Sequence, residues 1–390
     1  MEKRVLIIGG GIGGLAAALA CSRAGAGVEL FESAREFNEV GAGIQLGPNV
    51  VSILQRWGLE RALGAVAAFP DRLQVRSAVS GHALGGLRLG ARAIERYGAR
   101  YATIHRADLH AMLLSELRQT DAVRLSLGSE VVAFEQHDSG VALQLASGLQ
   151  ASADLLLGAD GLWSRVRQQL LNDGTPVATG HLAYRALVPQ SSLPERLRSQ
   201  SITAWLGPQL HVVQYPVRGG DWLNVVAVVH GHMLGDIEYW DHGANVVKLH
   251  RSMAQVCAPL HDLVHAIERW RLWGLSIRPP MRGPGEFGNG RVALLGDAAH
   301  PMLPYLAQGA GMAIEDAQAL GQLLAGDLAP PEALRQYAQA RWQRNARVQA
   351  RAIRNGQIFH AAGLMRWGRD AAMKLLGERL LAMDWLYRGA

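Results

Sequence analysis

The chain has 390 residues, 49% of them hydrophobic and 18% charged, a formal net charge of +6 and two cysteines, Cys21 and Cys257. That is enough apolar material for a large core in two domains or one elaborated domain, whereas no apolar run approaches the roughly 18 residues that cross a bilayer and two cysteines cannot make a disulfide framework. A membrane protein and a secreted disulfide scaffold are excluded, a cytoplasmic location is expected, and the scattered basic residues predict no nucleic-acid partner, only a mild long-range pull on small anions.

In chain order, Val5-Leu6-Ile7-Ile8 reads as a buried strand that runs into Gly9-x-Gly11-x-x-Gly14, an apolar helix and a second strand, Val28 to Phe31, closed by Glu32. The first glycine turns sharply off the strand, the second lets backbone approach a pyrophosphate, and the third lets helix pack on sheet. Glu32 comes 18 residues after Gly14, where a carboxylate can accept the hydrogen bonds of a ribose diol. The basic start and Ala18-Leu19-Ala20 before Cys21 imitate a secretory signal, but the glycines interrupt its apolar region with fingerprint spacing. The first thirty residues therefore predict a dinucleotide site that includes Gly9, Gly11, Gly13, Gly14 and Glu32.

Glu39 to Asn49 is a glycine-punctuated loop leading into a helix with Val50, Ile53, Leu54 and Trp57 at helical spacing, and a second helix follows His105-Arg106. Residues 123 to 158 read as strands, with turns at Asp138-Ser139-Gly140 and Ser147-Gly148. From about 173 to 275 the pattern is strand-rich (Leu182 to Val188, Ile202 to Leu206, His211 to Val217, Trp222 to Val229), then Val292 to Leu295 returns as an apolar strand and the remainder is largely helical. The expected fold is α/β: a Rossmann-like nucleotide-binding domain over 1–72, 98–172 and 276–345, an inserted β-sheet substrate domain over 73–97 and 173–275, and a C-terminal helical region over 346–390.

Two more segments repeat the plan of an apolar strand ending in an acid. Ala153 to Gly158 leads to Asp160-Gly161 and a basic helix start, and Val292 to Leu295 leads to Gly296-Asp297, His300-Pro301 and the loop Leu303 to Gly311. An acid at the carboxyl end of such a strand can bind ribityl or ribose hydroxyls.

With these three motifs in this order and spacing, residues 5 to about 320 resemble the class A flavoprotein monooxygenases, the single-component aromatic hydroxylases of the para-hydroxybenzoate hydroxylase fold. The resemblance implies FAD as cofactor and NADH, or NADPH, as co-substrate. It implies an FAD site made of the glycines, Glu32, Arg35, Gly43, Ile44, Arg106, Asp160, Asp297 and the run Gln308, Gly309, Ala310, Gly311. The amides at the start of the helix after that run would stabilise negative charge on a reduced flavin ring.

On the substrate side, period-two geometry puts His211, Val213, Tyr215 and Val217 on one face of a strand. Such a pattern by itself fits an ordinary half-exposed strand. With the resemblance it becomes a wall for a phenolic ring, because salicylate, 3-hydroxybenzoate and 6-hydroxynicotinate hydroxylases carry a similar histidine and tyrosine. His211 is then the base that takes the phenolic proton, Tyr215 its orienting or hydrogen-bonding neighbour, and Val213, Pro304 and Tyr305 line the pocket.

Gly41 to Asn49, with Trp205 to Gly220, resembles 3-hydroxybenzoate 6-hydroxylases, which make gentisate. His300 to Tyr305 is more similar to the salicylate 1-hydroxylase group, which makes catechol; histidines that 6-hydroxynicotinate enzymes often carry are replaced by Gly47 and Tyr305. The expected function is therefore hydroxylation of a monohydroxylated aromatic acid with dioxygen, foremost 3-hydroxybenzoate. Salicylate hydroxylation, an FAD-dependent dehydrogenase or reductase, and a catalytically silent flavin sensor are the alternatives. His105 and His300 lie inside cofactor motifs and read as structural, His181 starts a strand with no visible partner, and the 14 histidines show no metal-ligand spacing, so no metal is expected. The helices after residue 330 are the surface through which a homodimer would form.

Overall fold

The computed structural model describes residues 3–37, 42–231, 242–243 and 246–389; Glu39, Val40 and Gly41 of the glycine-punctuated loop lie outside them. The chain divides into two compact units, one of residues 1–40, 107–177 and 277–352 and the other of 41–106, 178–276 and 353–390.

In the first unit a six-stranded sheet runs in the order Gly288–Asn289, Val292–Leu294, Leu155–Gly158, Arg4–Ile8, Gly27–Phe31, Val123–Ser126. Every pairing is parallel except that of the short edge strand Gly288–Asn289. The strand leading to Asp160 thus lies beside the glycine-loop strand and the one leading to Asp297 lies next beyond it, and the three predicted fingerprints leave the sheet from its carboxyl ends, where ligands of open α/β sheets bind. The helix Ile12–Arg23 is buried at Ile12 and from Gly14 to Cys21, as its unbroken apolar sequence requires. It packs on Gly309–Leu324, where a Cβ on Gly321 would stand 2.8 Å from the Ala20 carbonyl.

The second unit is built on an eight-stranded sheet in the order His242–Gly243, Arg271–Ile277, Val177–Pro189, Trp222–His230, Leu210–Val217, Ile202–Gly207, Arg72–Ser77, Ala83–Arg88. Its central pairings are antiparallel and in continuous register. Alternation sorts the side chains. Tyr184, Trp205, Val212 and Val225 pack with Leu249, Leu260 and Leu263 from helices on one side of the sheet. Ala204, Leu206 and Val213 face Met373 and Phe359 on the other. The strand Leu210–Val217 is buried along nearly its whole length, which corrects the reading of a half-exposed strand, because helices cover both faces.

The boundaries differ from those expected. Residues 41–72 and 98–106 join the second unit, since Gly43–Leu46 pairs with Ala102–His105 and Gly43 hydrogen-bonds to Asn224 and Tyr215. Residues 353–390 are not a separate region: the His360 carbonyl accepts from Gln209 N and Met373 packs on the sheet. Among the described residues no helix is long and apolar enough to cross a membrane.

Candidate active site

In the first unit the glycine loop has the shape its sequence requires. Gly9 has φ +104°, and a Cβ there would stand 2.4 Å from the Ala159 carbonyl oxygen; a Cβ on Gly14 would lie 1.8 Å from the Gly9 carbonyl oxygen. Gly11 is the extended residue that begins the helix, with no side chain capping the helix amides, so these donors face outward as an anion site requires. Glu32 is fixed by its own backbone surroundings: Oε2 accepts from Gly10 N at 2.7 Å, and Oε1 from Ala34 N at 2.8 Å and Ser33 Oγ at 3.1 Å. A carboxylate oxygen has a further lone pair, so the acid is held in place while keeping acceptors for a diol. Arg35 is exposed nearby in sequence.

Asp160 and Asp297 have different surroundings. The Asp160 carboxylate accepts from Ser164 Oγ at 2.5 Å, Arg165 N at 2.8 Å and Val166 N at 3.1 Å, so it organises the start of the helix Arg165–Leu171; burial raises its pKa against these bonds. Asp297 is exposed in the turn Gly296–Ala298, with Oδ1 3.8 Å from where a Cβ on Gly309 would stand. It thus sits at the entry of the helix Gly309–Leu324, beside Gln308, Gly309, Ala310 and Gly311. The residue before this run, Ala307, has φ +52°, a left-handed conformation that an alanine adopts only at a cost of order 1–3 kcal/mol.

Two residues support this turn, Arg167, which escaped the sequence reading, and His300, which was read there as structural. Arg167, 2% exposed, donates from Nη1 to the Ala298 and Ala299 carbonyls at 3.1 and 2.6 Å and pairs with Asp173, tying the second fingerprint to the third. His300 Nε2 meets Asp316 Oδ2 at 2.5 Å, and Asp316 also accepts from Gly296 N and Arg341 Nε. Burial works against ionisation of Asp316, but His300 and Arg341 hold its pKa well below the ordinary carboxylate range. Pro304 and Tyr305 begin the short turn Pro304–Leu306, with Tyr305 buried and its phenol pushed up by desolvation.

The remaining predicted residues belong to the second unit. His211, Val213 and Tyr215 share one face of Leu210–Val217. His211 is 2% exposed, and desolvation, then the charge of His181, lowers its pKa to about 3, so the ring is neutral. Its Nδ1 lies 2.7 Å from His360 Nε2. Tyr215 donates to the Gly43 carbonyl at 2.6 Å, and no bond links it to His211. The hydrogen-bonding neighbour of His211 in this structure is His360, whereas the Tyr215 O–H is committed to Gly43. Asn224 Oδ1 accepts from Gly43 N at 2.6 Å, and a Cβ on Gly43 would stand 2.7 Å from both Asn224 Cγ and Tyr215 Cε2. Gly43 and Ile44 are thereby clamped to the sheet, and Arg106 N closes the same strand pair on Ala42 O at 2.9 Å.

Register reveals a further residue on this face. Val213 pairs with Val226 and Val226 with Arg185, so Arg185 stands in the same row as Val213, two strands across. Its guanidinium carbon lies 4.9 Å from the Trp273 ring centroid, its Nε is enclosed, and among the described residues no hydrogen-bond acceptor or carboxylate meets it. Desolvation lowers its pKa while the neighbouring Tyr215 phenol raises it. His181 has partners after all: its ring is 4.5 Å from that of His230 and 4.9 Å from that of His360. The donor atoms of these three rings lie within 4.8 Å of one another, a grouping of distant residues that sequence spacing did not show.

The glycine loop, the anchored Glu32 and the exposed Asp297 beside a helix entry have the form that a dinucleotide such as FAD requires. The profile of the FAD binding domain family matches residues 2–352; the chain belongs to this family, as a flavoprotein monooxygenase of the class A aromatic hydroxylases. It is 38% identical over 387 residues to 3-hydroxybenzoate 6-hydroxylase of Polaromonas naphthalenivorans, covering 98% of this chain and 95% of that protein. It is likewise 38% identical to a 3-amino-4-hydroxybenzoate 2-monooxygenase of Streptomyces platensis, over 99% of this chain and 96% of that one. Among solved structures, a salicylate hydroxylase substrate complex superposes with a TM-score of 0.84 at 29% identity, covering 100% of this chain and 96% of the other.

Proposed function

We propose that this enzyme hydroxylates 3-hydroxybenzoate at C6, para to the phenolic oxygen, to give gentisate, with NADH and dioxygen as co-substrates. The observation that carries the reading is Arg185. A half-buried guanidinium whose Nε is enclosed and that no described acid or acceptor meets is suited to an anionic partner, and it shares a sheet face with a neutral buried histidine and apolar Val213. A ring with a carboxylate at one end and a phenol at the other satisfies both groups. When bound, FAD supplies, with NADH and dioxygen, the electrophilic oxygen atom that enters the ring. The residues of the chain bind and prepare the acceptor: Arg185 pairs with the carboxylate, Val213 packs on the ring, and His211 takes the phenolic proton so that the carbon para to oxygen becomes electron-rich. Tyr215, bonded to Gly43, holds the clamped strand in place.

The relatives named for 3-hydroxybenzoate 6-hydroxylation support this substrate over salicylate, which the solved salicylate hydroxylase keeps as the second reading. The test is NADH consumption by FAD-loaded protein with 3-hydroxybenzoate, salicylate and 6-hydroxynicotinate in turn, each followed by chromatography of the product. Gentisate from 3-hydroxybenzoate supports the reading; catechol from salicylate alone transfers it to the second, and NADH loss that yields only hydrogen peroxide overturns both. The two free cysteines, Cys21 buried with its thiol pushed up to about 12, support a reducing cytoplasm. Leu364, Trp367 and Leu375, exposed on one side of the helix Gly363–Leu376, support a homodimer through that helix, and light scattering of Trp367→Glu, expected to be monomeric, tests it.

A further inference from the structure

His211 is a base with nowhere to keep a proton. It is 2% exposed, and burial depresses both its own pKa and that of His360, the latter to about 2. A neutral imidazole so placed accepts a proton only by passing another on from its second nitrogen. The second unit provides the route. His211 Nδ1 is 2.7 Å from His360 Nε2, and the other nitrogen of that ring, Nδ1, is 3.0 Å from His230 Nε2. His230 ends the strand Trp222–His230 and is exposed. Each ring uses different nitrogens for successive contacts, which is the condition for a proton to cross an imidazole without ring rotation.

We propose that His211, His360 and His230 form a proton relay that carries the phenolic proton of the substrate to solvent. The inference rests on the reading of His211 as base. The substrate O–H bond breaks as an N–H bond forms at His211 Nε2; the Nδ1 proton of His211 passes to His360 Nε2, that of His360 Nδ1 to His230 Nε2, and His230 releases the proton on its Nδ1 to water. Both hydrogen bonds then run in the opposite sense, and the relay resets when a proton returns along them to the product oxygen. No electrons leave or enter, and one proton is delivered per substrate bound.

The surroundings favour transfer over storage. His181 packs against both His230 and His360, and the Arg369 guanidinium, donating to the Ile358 and Phe359 carbonyls, adds a positive charge that disfavours protonated His360. Phe359 covers His211 at a ring distance of 5.4 Å. His360 and His230 are positioning residues of the reaction, acting through His211.

The experiment mixes 3-hydroxybenzoate with oxidised, FAD-loaded enzyme in weak buffer containing a pH indicator and follows proton release by stopped flow. Wild type is expected to release one proton per site. His360→Gln is expected to slow release on the order of 10²-fold while flavin absorbance titration gives substrate affinity within about twofold of the parent, because the carboxylate contact is untouched. His230→Ala is expected to slow it as well and, because this end of the relay is exposed, to regain speed with added imidazole, a response that a purely structural role of His230 would not produce. Release at the wild-type rate in His360→Gln, with His211→Gln slow, overturns the relay and leaves His211 as base. Absence of release from wild type overturns the relay and the reading on which it rests.

Discussion

Replacing Arg185 by methionine, similar in length but uncharged, tests the reading of the substrate as an acid. Charge-assisted hydrogen bonds contribute about 1.5–3 kcal/mol, and tenfold in affinity corresponds to about 1.4 kcal/mol. Arg185→Met should therefore weaken 3-hydroxybenzoate binding about 10- to 150-fold. The same substitution should leave 3-methylphenol, the same ring with a methyl in place of the carboxylate, within about threefold of the parent, since no charged contact is lost. Folding should respond differently from binding. Among the described residues the guanidinium has no carboxylate or acceptor to leave behind, so deleting it strands no partner and removes a half-buried charge whose Nε is enclosed; the ligand-free variant should melt no lower than wild type. The assay is titration of each FAD-loaded protein by flavin absorbance, with thermal unfolding in parallel. Equal losses for the acid and the methylphenol, or a large drop in melting temperature, would refute the reasoning, because Arg185 would then be a packing residue of the sheet.

Gly14→Ala places a methyl where 1.8 Å separates it from the Gly9 carbonyl oxygen, so the helix must move off the strand; the protein should emerge from desalting without its yellow flavin, measured at 450 nm on the order of tenfold below wild type. Arg341→Met removes the cation that bonds Asp316 at 2.8 Å and Glu315 at 3.0 Å, and breaking a buried ion pair from one side costs about 3–5 kcal/mol, to be read by urea unfolding. For pH, His211 and His360 have native pKa values below the ordinary 6.5, so between 6.5 and about 3 the unfolded chain binds protons that the native chain refuses. Stability is complete above that range and falls as pH drops, by up to about 1.4 kcal/mol per pH unit for each ring. Urea unfolding between pH 7.5 and 5 should show this slope, and His211→Gln should flatten it; an unchanged slope would mean that the rings are protonated in the native state.

How much of this was legible in the sequence follows from the range over which each signal acts. The glycine loop, Glu32 and the acids at Asp160 and Asp297 were readable because a tight turn, a helix start and a strand end are local, and their residue types are dictated within a few positions. The strand face of His211, Val213 and Tyr215 was readable because side-chain alternation is local too. His360 was not: it lies 149 residues from His211, its place is set by where the helix Pro330–Phe359 ends, and nothing near it in the chain distinguishes it from other histidines. The bond from Tyr215 to Gly43 was not readable for the same reason, since the two are 172 residues apart.

Arg185 stands between these cases. In Leu182-Ala183-Tyr184-Arg185-Ala186-Leu187-Val188 the charge interrupts an apolar strand, and a charge in the middle of a sheet covered on both sides needs either a partner or a ligand. The sequence announces that the cation exists; only the register, which sets it in the row of Val226 and Val213 beside Tyr215, identifies the face on which an anion would satisfy it. If a benzoate carboxylate is that anion, the cost of enclosing Arg185 Nε in the ligand-free enzyme is recovered on binding, and discrimination follows: a neutral phenol fills the apolar space but leaves the guanidinium unmet, so it binds without that compensation. Rejection of such phenols is then a consequence of the unpaired charge itself and requires no steric exclusion from the ring wall.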